Sequence, residues 1–165
     1  MSTPAIASAI VIERTYKAAP EELWALWTTR EGFESWWGPE QFRADVHRIE
    51  ARQGGALHYD MVADTPAMVA MMKDIGEPAS TACKGTFSEF RPHERLVLTQ
   101  IIDFLPGVQP YDSRIEVDFI PASSGHTRMV VTLSQMHDAQ TTQMQREGFT
   151  SQLSKLDRRY HWQGE

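Results

Sequence analysis

From about residue 42 to residue 134 the chain repeatedly alternates apolar and polar positions, in runs short enough for strands and separated by turn residues. The runs cover 43–51, 56–62, 84–90, 95–104, 113–120 and 127–134, after an opening run at 10–16. Gln53-Gly54-Gly55, Arg91-Pro92-His93-Glu94 and Pro121-Ala122-Ser123-Ser124-Gly125 mark tight connections. Links this short cannot hold the helical crossovers that parallel strands require, so the expected sheet is an antiparallel meander. One face of such a sheet must be covered. The segment from Ala139 to about Tyr160 has no proline, follows Asp138 as an N-cap, and sets Phe149, Leu153, Leu156 and Tyr160 along one seam. A single long helix on one sheet face follows.

Two helical patterns lie between the first strand and the meander. Pro20 suits a first helical turn, Glu21 and Glu22 complement the helix dipole, and Leu23, Leu26 and Trp27 share a face. Phe33 to Trp37 forms the second pattern, which Gly38-Pro39 is expected to end. Trp24 and Trp27 read as core anchors. Trp36 and Trp37 are adjacent, so one is expected to pack inward and the other to face a cavity rim or a partner chain.

Composition bounds the rest. At 165 residues the chain is expected to be one domain, and 41% hydrophobic with 23% charged residues is ordinary for a globular protein. A formal charge of −6 with no basic stripe argues against nucleic acid. No apolar run is long enough for a membrane span and the opening residues do not resemble a signal peptide, so the expected location is cytoplasmic. Cys83, the single cysteine, reads as a small buried hydrophobe.

Catalytic and metal signatures are weak. His47, His58, His93, His126, His137 and His161 are dispersed without ligand spacing, so neither a metal nor a cofactor is expected. His58 and Asp60 share a strand face, opposite the apolar set Leu57, Tyr59 and Met61, and are expected to point outward. Arg114, Glu116 and Asp118 likewise read as the exposed face of a strand. Between residues 62 and 83, Met68, Met71, Met72 and Ile75 recur at helical spacing before Gly76. That amphipathic helix either plugs a sheet edge or protomer contact, which makes a homodimer credible, or lids a cavity.

Ala19-Pro20-Glu21-Glu22-Leu23-Trp24, Trp36-Trp37-Gly38-Pro39, the Gln53-Gly54-Gly55 hairpin, Arg91-Pro92-His93-Glu94-Arg95-Leu96 and residues 148–156 occur together in this order. In that order and spacing the chain resembles the START-type helix-grip (SRPBCC) superfamily, and within it the single-domain homologues of the activator of heat-shock-protein-90 ATPase. The resemblance implies an α+β helix-grip fold, a curved antiparallel sheet wrapped around a long C-terminal helix, with a cavity between them. The implied lining includes Trp36 or Trp37, Tyr59, Met61, Phe104, Tyr111, Phe149 and Leu153, with Met68, Met71 and Met72 over the mouth. Asp103 and Tyr111 bracket a Pro-Gly-Pro loop, placed either for a hydrogen bond at that mouth or for stabilising the loop. Gln152 is either an amide donor to the cavity or an exposed flank residue. The leading expectation is binding of a small hydrophobic molecule without catalysis. The alternatives are a protein-interaction module contacting a chaperone, and a cyclase-, dehydratase- or hydrolase-type enzyme.

Overall fold

The computed structural model describes residues 9–103 and 107–163. β1 (Ile10–Tyr16) leads into α1 (Pro20–Thr28) and α2 (Arg30–Glu34), followed by β2 (Phe42–Ile49), β3 (Ala56–Ala63) and α3 (Pro66–Asp74). β4 (Ser80–Arg91), β5 (Arg95–Ile102), β6 (Tyr111–Pro121) and β7 (Thr127–Leu133) complete the sheet, and α4 (Ala139–Arg159) closes the chain. The strands form one antiparallel sheet in the order β1-β7-β6-β5-β4-β3-β2. β2 to β7 each pair with the strand next to them in sequence, as short turns require. β1 alone pairs out of sequence, with β7, so α1 and α2 carry the chain from one sheet edge to the other. This is the α+β helix-grip arrangement, a curved sheet with α4 across its inner face.

Alternation assigns that inner face. Leu57 and Tyr59 of β3, Leu96 and Leu98 of β5, Ile115, Val117 and Phe119 of β6, and Met129, Val131 and Leu133 of β7 are all buried. β4 needs a device to keep pace. Its register shifts between Phe87 and Glu89, leaving Ser88 as an extra residue, so Phe87 and Phe90, three apart, face Leu98 and Leu96 on the same side. Phe90 then meets Trp24 of α1 edge to face at 4.9 Å. β4 also begins at Ser80, four residues before the expected start, because Ser80, Thr81 and Ala82 pair with Val62, Met61 and Asp60.

Local signals set the helices. Pro20 occupies the first turn of α1 with Glu21 and Glu22. Asp138 caps α4 by accepting the Thr141 backbone N–H at 2.6 Å. Thr65 caps α3 by accepting from the Met68 N–H, and Gly76, at φ 76°, follows its end. One expectation is corrected. α2 ends at Glu34, not at Gly38, so Trp36 and Trp37 follow it in a turn rather than lying on a helix. Freed from helical spacing, both indoles point into the core, 0% and 3% exposed, and neither faces a rim or a partner chain.

Candidate ligand-binding cavity

The space between α4 and the sheet is largely filled by the protein's own aromatic rings. Trp27 lies 5.1 Å from Trp36 and 5.3 Å from Trp37, edge to face in both pairs. Phe149 reaches in from α4 to within 6.2 Å of Trp27 and 5.8 Å of Trp37. Phe33 stacks on Trp37 at 4.5 Å and meets Tyr59 at 5.3 Å. Leu153 is fully buried behind them. Trp36, Phe149 and Leu153 are buried against their neighbours, as closely packed rings allow, and do not line the cavity beside Tyr59.

A cavity opens where this cluster ends. It has a volume of about 270 Å³ and is lined by Tyr59 and Met61 of β3, Thr81, Cys83 and Lys84 of β4, and Gln100, Ile101 and Ile102 of β5. That volume lies just below the usual range of ligand sites, roughly 300–1,000 Å³, and suits a compact molecule. Three depressions elsewhere are larger, about 490 Å³ beside Met136 and His137, about 480 Å³ beside Arg95 and Phe119 and about 440 Å³ around Ser88 and Arg114. All three are more open to solvent than the smaller cavity, so they withdraw apolar area from water less completely.

The polar centre of the cavity is the Tyr59 hydroxyl. It accepts the Trp37 indole N–H at 3.0 Å and an amide N–H of Gln100 at 2.7 Å. Gln100 stands on β5 and Tyr59 on β3, so the bond spans the intervening β4. The bridge is possible because Gly85 is the residue of β4 opposite both Leu57 and Gln100. A Cβ at Gly85 would lie 3.1 Å from Leu98 Cδ1 and 3.5 Å from Gln100 Cγ, crowding the path the amide takes. Cys83 is the cross-strand neighbour of Tyr59. Burial raises both acids: the Tyr59 phenol rises well above its ordinary value, and the Cys83 thiol is pushed up to about 11. Both therefore stay protonated at neutral pH. A protonated thiol is a poor nucleophile, and among the described residues the lining has no carboxylate or imidazole to act as a base.

The other expected site residues lie elsewhere. Gln152 is neither exposed nor at the cavity: it is 4% exposed, and its side-chain oxygen accepts the Gly38 N–H at 2.8 Å. Gly38 has φ 105°, a backbone that turns its N–H toward α4 instead of along a helix, and this is what draws the amide inward. Met68 and Met72 are half-buried and Met71 is exposed; none of the three lines the cavity, so α3 does not lie over its mouth. Tyr111 sits at the depression beside Met136 and His137, its hydroxyl 3.0 Å from His137 Nδ1. Asp103 is exposed and lines no cavity described here, and Phe104 falls outside the described residues. His58 and Asp60 are not in the cavity lining; Asp60 pairs with His47 at 2.9 Å on the outer face. Tyr59 and Met61 are thus the expected residues that meet at the cavity. Gln100 was missed, although it carried a signal: it is the polar member of an otherwise apolar inward series, Leu96, Leu98, Gln100 and Ile102.

Among the described residues, no three His, Cys, Asp or Glu side chains converge as a metal site would require, and no helix is long and apolar enough to cross a membrane.

Solved structures with the same fold share little sequence. A Chromobacterium violaceum protein is 22% identical over 90% of this chain and 94% of its own, with a TM-score of 0.70. The AHSA1 protein of Silicibacter pomeroyi is 21% identical over 90% and 94%, with a TM-score of 0.69. CalU16 of Micromonospora echinospora is 16% identical over 90% and 73%, with a TM-score of 0.57. No curated protein matches the sequence. The family described as "Activator of Hsp90 ATPase homolog 1-like protein" matches residues 17–160, and the chain belongs to that family.

Proposed function

We propose that this protein binds a small, largely apolar organic molecule in the cavity lined by β3, β4 and β5, without transforming it. The supporting observation is the lining itself: Met61, Cys83 and Ile102 supply apolar walls, while Tyr59 and Gln100 supply polar atoms near one another. Apolar burial at about 25 cal/mol per Å² would furnish affinity, and a few polar groups would fix orientation. Methionine adds adaptability, since its unbranched thioether adjusts to differently shaped partners. Protonated Cys83 and a lining that, among the described residues, has no base favour binding over catalysis.

A second reading, docking to another macromolecule such as a chaperone, is supported by α3. Its Val69 and Met71, with Ile75 just beyond its end, are 43%, 55% and 62% exposed. One experiment separates the two. A thermal-shift screen of the purified protein against a library of compact aromatic and alicyclic molecules is expected to give concentration-dependent stabilisation by some of them. No stabilisation by any member, together with stimulation of Hsp90 ATPase turnover by the same preparation, would reverse the order of the readings.

A further inference from the structure

The hydrogen-bond polarity around Tyr59 constrains what the guest must carry. An indole N–H can only donate, so the phenol oxygen necessarily accepts from Trp37. The Gln100 amide also donates to that oxygen. Both acceptor positions of the hydroxyl are thereby taken, and its own proton is left to donate. Among the described residues its hydrogen bonds are these two alone, apart from proximity to the Cys83 sulfur, a weak acceptor. Tyr59 is 3% exposed and is one of the residues that line the cavity. Gln100 also has a second amide hydrogen beyond the one given to Tyr59. Buried donors without a good acceptor are costly, and a ligand that supplies one gains that energy on binding.

We propose that the guest is a neutral apolar carbonyl compound, such as an aryl ketone or quinone, whose oxygen accepts the Tyr59 O–H and whose hydrocarbon body lies against Met61 and Ile102. This rests on the carrier reading above and adds the chemical class. Two incoming donors polarise the phenol and strengthen its outgoing hydrogen bond, since chains of hydrogen bonds reinforce one another. A carboxylate would be held less well, because a charge brought against Met61 and Ile102 gives up its hydration and, among the described residues, the exposed Lys84 is the one cation in the lining.

The test uses three probes of nearly equal shape: 2-acetylnaphthalene, 2-isopropenylnaphthalene, in which a methylene replaces the carbonyl oxygen, and 2-naphthoate. Their affinities for the whole protein are read from tryptophan fluorescence. The ketone is expected to bind about tenfold more tightly than the alkene, the worth of one buried hydrogen bond. In Tyr59→Phe the preference should fall to about twofold or less, with alkene affinity little changed. Because that substitution leaves the Trp37 N–H unpaired and can weaken the fold, the carbonyl stretch of the ketone bound to the unaltered protein supplies a second readout. It should move to lower frequency than in hexane. Equal binding of ketone and alkene, with an unshifted stretch, would overturn the carbonyl assignment while leaving the carrier reading intact, and would place the Tyr59 proton on Gln100 with its amide reversed. Tighter binding of naphthoate would overturn the neutral class. Binding of none of the three up to their solubility would remove both the assignment and the carrier reading.

Discussion

At the scale of single residues, the buried polar atoms carry more of the specificity than the apolar ones. Gln152 illustrates this. Its Oε1 satisfies the Gly38 N–H, which the left-handed backbone at Gly38 turns away from any helical or sheet partner. Its Nε2 has no partner among the described residues. Replacing Gln152 with Met keeps the volume and removes both atoms, so the loss of the acceptor is offset in part by removal of the orphaned donor. Gln152→Met is expected to lower unfolding free energy by about 1 kcal/mol, and Gln152→Ala by about 2–3 kcal/mol, since it also leaves a cavity. Urea denaturation of both variants checks this; no loss in Gln152→Met beside a clear loss in Gln152→Ala would show that the amide contributes only bulk. Glutamine on a long helix reads from sequence as an exposed flank residue, and nothing local to α4 marks it otherwise. Its burial follows from the turn at Gly38, more than a hundred positions away.

Among the secondary-structure elements, α4 shows how local chemistry sets a boundary and packing sets everything else. Asp138 accepts the Thr141 N–H, and that backbone hydrogen bond, aided by the threonine side chain, holds its carboxyl below the usual aspartate range. A carboxyl lowered on folding stabilises the fold above its unfolded value, about 3.9, and that contribution is lost as pH falls through the lower folded value. Asp138→Asn retains an N-cap that does not titrate. The urea midpoint of the unaltered protein should therefore fall relative to that of Asp138→Asn below about pH 4. A difference that is flat down to pH 3 would show the cap to be energetically silent. The start of α4 and the existence of α3 were legible because Asp138, Gly76 and the methionine spacing act over a few neighbouring positions. The early end of α2 was not. Trp36 and Trp37 leave the helix because both indoles gain burial, with Trp36 Nε1 donating to Leu26 O at 2.8 Å, and that is a tertiary reward.

For the whole molecule, the sheet is held to α4 at both ends of the chain. Arg14 of β1 donates to Asp157 at 3.0 Å, the Tyr16 hydroxyl donates to the same carboxylate at 2.6 Å, and the Arg14 guanidinium lies 4.0 Å from the centre of the Trp162 ring. Arg14 and Asp157 keep only 12% and 18% of their side-chain exposure, so removing one strands the other away from water. Asp157→Ala should cost about 2–3 kcal/mol and loosen β1. Arg43 pairs as closely, at 2.7 Å with Asp64, but those side chains are 45% and 47% exposed, and Arg43→Ala should give no resolvable loss. Urea denaturation of both variants is the measurement, and equal effects would mean that burial does not decide the worth of these pairs.

The order of elements, the antiparallel pairing, the Asp138 cap and the inward sets of β3 and β6 follow from the sequence, because alternation, turn residues and capping act over a few positions. The site of the hollow does not. Trp27, Trp36, Trp37 and Phe149 come from three separate stretches of chain, and only their meeting fills the space beneath α4 and moves the open volume to β3, β4 and β5. The link from Gln100 to Tyr59 likewise depends on Gly85 having no side chain in between, a condition set by strand register. Which polar atoms are left with a proton to offer is a property of three strands in contact, and no single segment encodes it.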